Sequence, residues 1–285
     1  MYLAFGKLYG VNFEEIKVAD INQFRTFNQF FTREIKEDAR NIVNEGDIKT
    51  LCSPCDGRVL SFGMVDSLKT SMDCIKGHSY RLDEFLFGYK SERDETNPQA
   101  TMTETIIQSA KSRGNKVMFA VIYLAPQDYH RYHSPAHFTA NYRRHIAGYL
   151  EPVMPSYLMK HKDVLKENER VNVLGEWAHG FFTISFVGAL NVGSIKLHFD
   201  EDLKTNVKVP SVPYFQDKNY QTLNEVGGSF LSFPVRAKHA IDEVSEEEKL
   251  SITKYLNEFD IKDMLDISHS QNTTFKYEPS LENKL

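Results

Sequence analysis

The sequence contains few cysteines and has no long apolar run. Its three cysteines, Cys52, Cys55 and Cys74, are too few to form a disulfide framework. Cys52 and Cys55 form a C-x-x-C pair, but a zinc site needs two further ligands and the sequence has no second such pair. Every apolar stretch is shorter than the roughly 18–20 residues that span a bilayer. We therefore expect neither a disulfide-rich fold, nor a membrane-spanning helix, nor a bound metal.

An excess of positive charge is also missing. The formal net charge is −5 at pH 7, so the overall field would not attract nucleic acid or an anionic membrane. The first 15 residues lack the basic region and the small-residue cleavage site of a signal peptide. We expect a soluble or peripheral protein without a nucleic-acid partner. Phe5, Leu8 and Tyr9 could lie on a membrane interface or pack on the protein's own core.

Apolar residues are plentiful despite the single tryptophan. They make up 41% of the chain and include 20 Phe and 14 Tyr, which is enough for a large core. The local patterns predict helices within residues 1–45 and strands at 58–63 and 117–124, the second of them buried. Further strands are predicted at 171–174, 180–186, 192–199 and 230–235, and a helix at 245–259.

Polar segments separate these elements. Residues 91–115 are predicted to form an exposed excursion, and residues 156–170 a helix or an exposed connection. The elements together predict an α+β fold, with an N-terminal helical layer (1–45) on a mainly antiparallel β sandwich or barrel core and a C-terminal helix. We expect one domain over residues 1–267 and a disordered polar tail at 268–285.

Two segments carry side chains suited to acid–base chemistry. In Ser53-Pro-Cys-Asp-Gly, Asp56 is either a turn former or a carboxylate that orients a histidine. In Leu124-Ala-Pro-Gln-Asp-Tyr-His-Arg-Tyr-His-Ser-Pro, His130 and His133 follow a predicted strand, where catalytic groups often sit. Imidazoles titrate near neutral pH, so the pair could serve as base and acid, bind a metal, or be structural.

Two glycine-containing segments add to this pattern. Repeated glycines in 175–180 and 188–193 indicate bulges or close approaches to the backbone. In Glu225-Val-Gly-Gly-Ser-Phe, the Gly228–Ser229 bond is either an ordinary hairpin turn or a reactive bond.

Together these segments resemble the phosphatidylserine decarboxylases. The resemblance extends from about Phe24 to Asn206. It is carried by Phe-Phe-Thr-Arg (30–33), Ser-Pro-Cys-Asp-Gly-Arg (53–58), Lys76-Gly with Tyr80, Leu82 and Phe85-Leu-Phe-Gly, the histidine segment (124–135), Asn168-Glu-Arg-Val, Gly188-Ala-Leu-Asn-Val-Gly-Ser-Ile and Asp202-Leu-Lys-Thr-Asn. The order and spacing of these motifs make a chance match implausible.

The resemblance implies a proenzyme that cuts its own chain at a Gly–Ser bond. By motif, Asp56 orients His133, His133 is the base, and Ser229 attacks the Gly228 carbonyl. Ser229 then becomes a covalent pyruvoyl cofactor, giving subunits of residues 1–228 and 229–285 that stay associated. The pyruvoyl group decarboxylates phosphatidylserine to phosphatidylethanolamine through a Schiff base. His130 is assigned as the acid that protonates the product carbanion.

The predicted cleavage site departs from the family pattern. The usual Leu-Gly-Ser-Thr is absent, although Lys218 lies eleven positions before Ser229, as in the family. A competing alignment takes Glu225-Val-Gly as the Glu-x-Gly that precedes the cleavage bond in the family, and it then finds no Gly–Ser bond downstream. Ser232 is a poor nucleophile candidate because it follows Leu rather than Gly. The alternatives are therefore an inactive, unprocessed relative that binds phospholipid or a partner, or an unrelated metal-dependent hydrolase using His130, His133 and Cys55.

The resemblance also bears on partners and location. It implies a peripheral protein that meets phosphatidylserine at a membrane surface, and often a homodimer. Family members act on bacterial inner, mitochondrial inner or endomembrane surfaces, and the sequence does not choose among them.

Overall fold

The computed structural model divides the described chain into two compact units. It describes residues 1–42, 47, 49–65, 71–75, 78–88, 98–190, 194–207, 214–220 and 274–276. Unit 1 comprises the described residues of Met1–Val59, Leu124–His137 and 232–285, and unit 2 those of Leu60–Tyr123 and Phe138–Leu231.

The described elements alternate short helices with mostly antiparallel strands. The helices are α1 (Tyr2–Tyr9), α2 (Phe27–Phe31), α3 (Leu82–Phe87), α4 (Pro98–Ser112), α5 (Pro155–Leu158) and α6 (Val164–Glu167), with a 3₁₀ turn at Ile21–Gln23. The strands are β1 (Thr50–Cys52), β2 (Arg58–Val65), β3 (Ser71–Ile75), β4 (His78–Arg81), β5 (Val117–Tyr123), β6 (Phe138–Ala147), β7 (Arg170–Trp177), β8 (Gly180–Val187), β9 (Tyr214–Asn219) and β10 (Thr274–Lys276). The fold is α+β with antiparallel sheets, as predicted, and the described strands do not close into a barrel.

Unit 1 is built around a cluster of aromatic rings at its amino-terminal end. Phe30, on α2, is fully buried and is surrounded by partly buried rings that include Phe5 and Phe13. Thr26 and Gln29 form a capping box that fixes the start of α2. The predicted helical region 1–45 therefore contains two short helices and a 3₁₀ turn, and its other described residues are irregular.

Unit 2 contains a four-stranded antiparallel sheet in the order β8-β7-β6-β9. The predicted strands at 171–174 and 180–186 are confirmed as β7 and β8, which pair from Arg170 with Val187 to Trp177 with Gly180. At Gly175 a β-carbon would lie 1.8 Å from the Thr139 carbonyl oxygen, next to a register shift in β6. Gly175 thus lies where a neighbouring backbone approaches closely, as predicted for the glycines in this strand.

The sequence did not predict β6 and β9, because both strands carry charges inside their ladders. Arg143 on β6 is 1% exposed, and its Nε donates to Asp200 at 3.0 Å. Arg144, its neighbour on the opposite face, binds Asp217 of β9 through two hydrogen bonds of 2.8 and 2.6 Å. These partners lie more than 50 residues away in sequence, so no local pattern indicates that the charges are paired.

Three other expectations need correction. The polar segment 91–115 contains α4, a 15-residue helix that buries Thr103 and Ile107 one turn apart, while its other side chains from Glu104 to Ser112 are exposed or half-buried. Residues 194–199 form no strand, because the Ile195 amide is bound by the Thr205 hydroxyl and Leu197 bridges Asp200 in a tight turn. The strand predicted as buried at 117–124, now β5, is half-buried and pairs with β2 alone among the described strands.

The remaining outcomes concern connections and the carboxyl-terminal part. Residues 156–170 contain the short helices α5 and α6. The predicted strand at 230–235 and helix at 245–259 lie outside the described residues. In the tail predicted as disordered, Thr274–Lys276 pairs with β1. Among the described helices, none combines the length and apolarity required to cross a bilayer.

Candidate functional site

The two segments predicted to carry acid–base chemistry lie against each other in unit 1. The His133 amide donates to the Pro54 carbonyl at 2.7 Å, and the Cys52 amide donates to the Pro135 carbonyl at 3.0 Å. These two backbone bonds fasten the histidine segment to the turn that contains Asp56. The structure therefore brings together the motifs of residues 53–58 and 124–135.

The histidine segment is held in shape by its own hydrogen bonds. The Asp128 amide donates to the Ala125 carbonyl at 2.9 Å, and the Ala125 amide returns a bond to the Asp128 carboxylate at 2.6 Å. The Ser134 hydroxyl donates to the Ala136 carbonyl. Such local side-chain bonds replace a regular ladder and rigidify the loop that bears both imidazoles.

His133 is paired with a phenol. Its Nε2 lies 3.1 Å from the hydroxyl of Tyr129, four residues earlier in the segment, and the two rings are nearly parallel. Tyr129 itself is buried. The contact places a ring nitrogen of His133 where it can exchange a proton with a hydroxyl group.

His130 is half-buried and makes a hydrogen bond that selects its tautomer. Its Nδ1 lies 2.9 Å from the Asp128 carbonyl, which can only accept, so Nδ1 carries the hydrogen and Nε2 is left as an acceptor. The ring packs on Phe31, with centroids 3.8 Å apart. The pKa of His130 is lowered to about 4, mainly by burial and to a smaller extent by the Arg33 charge, while the bond to the Asp128 carbonyl opposes both.

Asp56 is buried and bonded to an arginine that the sequence did not single out. Arg40 donates from Nε to Oδ1 at 3.0 Å and from Nη2 to Oδ2 at 2.5 Å, and its Nη2 also reaches Glu15 at 2.8 Å. Within the described part of the chain, the hydrogen bonds to the Asp56 carboxylate come from Arg40. Asp56 lies two residues from Pro54, which binds the His133 amide, but the orientation of His133 by Asp56 stays a prediction.

Arg33 and Tyr129 were missed as well. Arg33 ends the Phe-Phe-Thr-Arg box and binds the Gln127 carbonyl at 2.8 Å, which ties the box to the histidine segment. The box had been recognised as a motif, but its contact with Gln127 is 94 residues away in sequence. Tyr129 lies inside the histidine segment, and its spacing of four from His133 was the signal available.

The predicted cleavage bond and the cysteines complete the account of the site. Gly228 and Ser229 lie outside the described residues, while Lys218 lies on β9 and binds Asp200 and Asp202 at 2.7 Å each.

Cys55 is buried, and burial raises the pKa of its thiol. No group of three His, Cys, Asp or Glu side chains with the arrangement of metal ligands occurs among the residues that the structure describes.

The structure is an antiparallel α+β fold that carries two imidazoles on one hydrogen-bonded loop, and the comparisons assign the family. The sequence model of phosphatidylserine decarboxylase matches residues 27–254. The chain is 39% identical over 215 residues to the mitochondrial phosphatidylserine decarboxylase proenzyme of Pongo abelii, covering 75% of this chain and 51% of that protein. The chain belongs to the phosphatidylserine decarboxylase family.

Other relatives agree over similar shares. The mitochondrial proenzyme of Rattus norvegicus is 38% identical over 215 residues, covering 75% of this chain and 52% of that protein. Mitochondrial proenzyme 1 of Saccharomyces cerevisiae is 29% identical over 268 residues, covering 73% of this chain and 53% of that protein. The chain thus spans about half the length of the curated relatives it matches.

Proposed function

We propose that the chain decarboxylates phosphatidylserine to phosphatidylethanolamine after cleaving itself at Gly228–Ser229. The observation that supports this most directly is the pair of imidazoles, His130 and His133, on a loop fastened to the Asp56 turn. The relatives are named phosphatidylserine decarboxylase proenzymes, which gives their reaction and indicates a precursor that is processed.

The described residues suit a cofactor made from a serine. Cleavage needs a base that can take a hydroxyl proton, and His133 Nε2 already lies beside a hydroxyl, that of Tyr129. A pyruvoyl group derived from Ser229 would supply an electrophilic carbonyl and an electron sink for decarboxylation. His133 would hold the proton that it takes from Ser229 and release it to the departing amide nitrogen, following triad logic.

His130 would then move the second proton. A serine headgroup reaches the site as an ammonium and must lose a proton before its nitrogen becomes a nucleophile. Because His130 is neutral with the hydrogen on Nδ1, its Nε2 can accept that proton. The same nitrogen can return the proton to the carbon from which carbon dioxide has left, which is the acid role predicted for His130.

Denaturing mass spectrometry of the purified full chain tests self-cleavage. We expect two species separated between Gly228 and Ser229, the smaller with a blocked amino terminus, and phosphatidylethanolamine formation by the same sample. Ser229→Ala should leave one chain of 32.9 kDa. Ser232→Ala, a serine three residues away, is the matched control and should be processed like the wild type. A wild-type sample that stays intact under all conditions would overturn the proposal.

One observation favours a second candidate, an unprocessed relative that binds phospholipid or a partner. The Asp56 carboxylate is engaged by Arg40, and a carboxylate held in this way is a weaker orienting partner for His133. This candidate predicts an intact wild-type chain whose binding to phosphatidylserine vesicles is unchanged by Ser229→Ala.

A peripheral attachment to a membrane completes the proposal. Leu3 and Leu8 on α1 are 56% and 76% exposed, whereas Phe5 packs into the aromatic cluster of unit 1. Phe5 therefore packs on the protein's own core, while exposed Leu8 and Tyr9 support the proposed contact with a membrane interface. Among the three possible compartments, the names of the mitochondrial relatives favour a mitochondrial membrane. Homodimer formation stays a prediction, which sedimentation velocity would test.

A further inference from the structure

Two short segments of unit 1 are joined by two arginines that reach in opposite directions. From the Phe-Phe-Thr-Arg box, Arg33 Nη2 donates to the Gln127 carbonyl at 2.8 Å and more weakly to the Asp128 carbonyl at 3.4 Å. From the histidine segment, Arg131 Nε donates to the Thr32 carbonyl at 2.8 Å. The box is therefore the surface on which the histidine segment rests, a role that the proposed reaction leaves unassigned.

Arg33 is bonded less completely than a stabilising buried arginine would be. The residue is 4% exposed, yet its Nε and Nη1 are buried without an acceptor in the part of the chain that the structure describes. Burial lowers the pKa of Arg33, and the charges of Asp56, Asp128 and Glu15 only partly oppose this. A buried cation with two unused nitrogens is unfavourable for folding, and such groups are concentrated at functional sites.

The Asp128 carbonyl connects Arg33 to His130. It accepts the Nδ1 hydrogen of His130 at 2.9 Å and the weaker bond from Arg33 at 3.4 Å. Phe31, two residues before Arg33, covers the imidazole ring at a centroid distance of 3.8 Å. The box thus contacts His130 through a ring and contacts the carbonyl that selects its tautomer.

The charged groups near His130 belong to both segments. Asp128 and Arg131 lie on its own segment, and Arg33 and Glu34 lie on the other. Of these, Arg33 contributes the charge that lowers the His130 pKa, an effect smaller than that of burial. Arg40, Asp56 and Glu15, behind Arg33, act on the Arg33 guanidinium.

We propose that Arg33 is a positioning residue: it holds the carbonyls of Gln127 and Asp128 so that His130 carries its hydrogen on Nδ1, and its positive charge adds to the effect of burial in keeping the ring neutral. His130 Nε2 is thereby the hydrogen-bond acceptor of the ring, towards which an N–H of the substrate ammonium can be oriented, a consequence that rests on the proposed function. The state of the ring itself does not depend on that function.

A titration of the His130 ring by NMR tests the proposal on the full chain without substrate. The signal is assigned by its absence in His130→Gln. The wild-type midpoint is expected near 4, and Arg33→Met should move it upward, towards the ordinary imidazole value of 6.5. Arg33→Lys, which retains the charge, should keep the midpoint low. Arg131→Met is the matched control, since it removes an arginine that joins the same two segments and should leave the midpoint near 4.

Two further measurements separate positioning from simple stabilisation. Arg33→Gln keeps an amide donor for the loop carbonyls but removes the charge, so a folded protein with a raised midpoint is expected even where Arg33→Met does not fold. Thermal unfolding should show that Arg33→Gln loses less stability than Arg131→Met. An unchanged His130 midpoint in folded Arg33→Gln would overturn the inference, whether or not the chain decarboxylates phosphatidylserine. If the wild-type chain stays uncleaved while Arg33→Gln raises the His130 midpoint, the result would contradict only the proposed function.

Discussion

Arg143 is buried and His130 is half-buried, and their surroundings have opposite effects on a positive charge. Arg143 donates to Asp200, and the same carboxylate accepts bonds of 2.7 Å from Lys218 and from the Tyr220 hydroxyl. His130 has a carbonyl at one nitrogen, a phenyl ring on one face and a cation nearby. The first arrangement matches a permanent charge with an acid, whereas the second favours a neutral ring that can acquire a proton during a reaction.

The neutral state of His130 predicts a specific loss of stability in acid. Its pKa is about 4 in the folded protein and near 6.5 when unfolded, so below pH 6.5 the unfolded chain binds the proton more readily. Stability from this residue is therefore complete above pH 6.5 and is lost as pH falls towards 4, by about 3 kcal/mol in total.

Urea unfolding at pH 7 and pH 4.5 measures this loss. The free energy of unfolding should fall more steeply with acid in the wild type than in His130→Gln, which has no imidazole to protonate. Carboxylates titrate in both proteins, so the difference between the two slopes isolates His130. Equal slopes would show that the ring is already charged, or exposed, in the folded state.

Helix α3 shows how the sheet of unit 2 completes a very short element. The helix has six residues and is capped by Gly88, whose φ of 80° is left-handed. Its final carbonyls receive side-chain donors from β6 and β7. Arg170 binds the Glu84 and Phe85 carbonyls, Asn172 binds those of Phe85 and Leu86, and Arg144 binds that of Phe87. A helix of this length is not stable alone, because its last carbonyls have no donors within the helix. Side chains of the sheet supply these donors.

Replacing Arg170 should therefore destabilise the protein strongly. Besides α3, its guanidinium binds the Lys166 and Asn168 carbonyls at the end of α6, so Arg170→Met leaves several buried acceptors without their donor. We expect a loss of about 3 kcal/mol in the free energy of unfolding. Arg25→Met, at an exposed arginine, should change it by less than about 0.5 kcal/mol. Similar losses in both variants would mean that the carbonyls find water instead.

At the scale of the whole molecule, the sequence predicts which segments form the candidate site better than it predicts the side-chain contacts between them. The segments around Asp56 and His133 were predicted to act together, and backbone bonds join them. The roles of Arg33 and Arg40 were not predicted, because a charged residue in an irregular segment reveals its partner only in three dimensions. Strands β6 and β9 escaped prediction for the same reason, since their arginines and acids neutralise each other across the sheet.

Membrane attachment is also a property of the whole molecule, and it is testable through α1. With a net charge of −5, binding should depend on apolar contact more than on attraction to anionic lipid. Leu3→Asp with Leu8→Asp should reduce flotation of the protein with phosphatidylserine-containing vesicles by several-fold. Met159→Asp, at a methionine that is 53% exposed in unit 2, is the matched control. Undiminished flotation of the double variant would place the lipid contact elsewhere.

Strand β9 has a consequence for what happens after a cut at Gly228–Ser229. Asp217 and Lys218 fasten this strand to Arg144 and Asp200, and the Tyr220 amide donates to the Asn141 carbonyl. Eight residues, 221–228, then separate this anchor from the new carboxyl end. Even fully extended they reach roughly 28 Å. The new carboxyl end would thus stay tethered within this distance of β9, where its effective concentration is far above that of a free peptide.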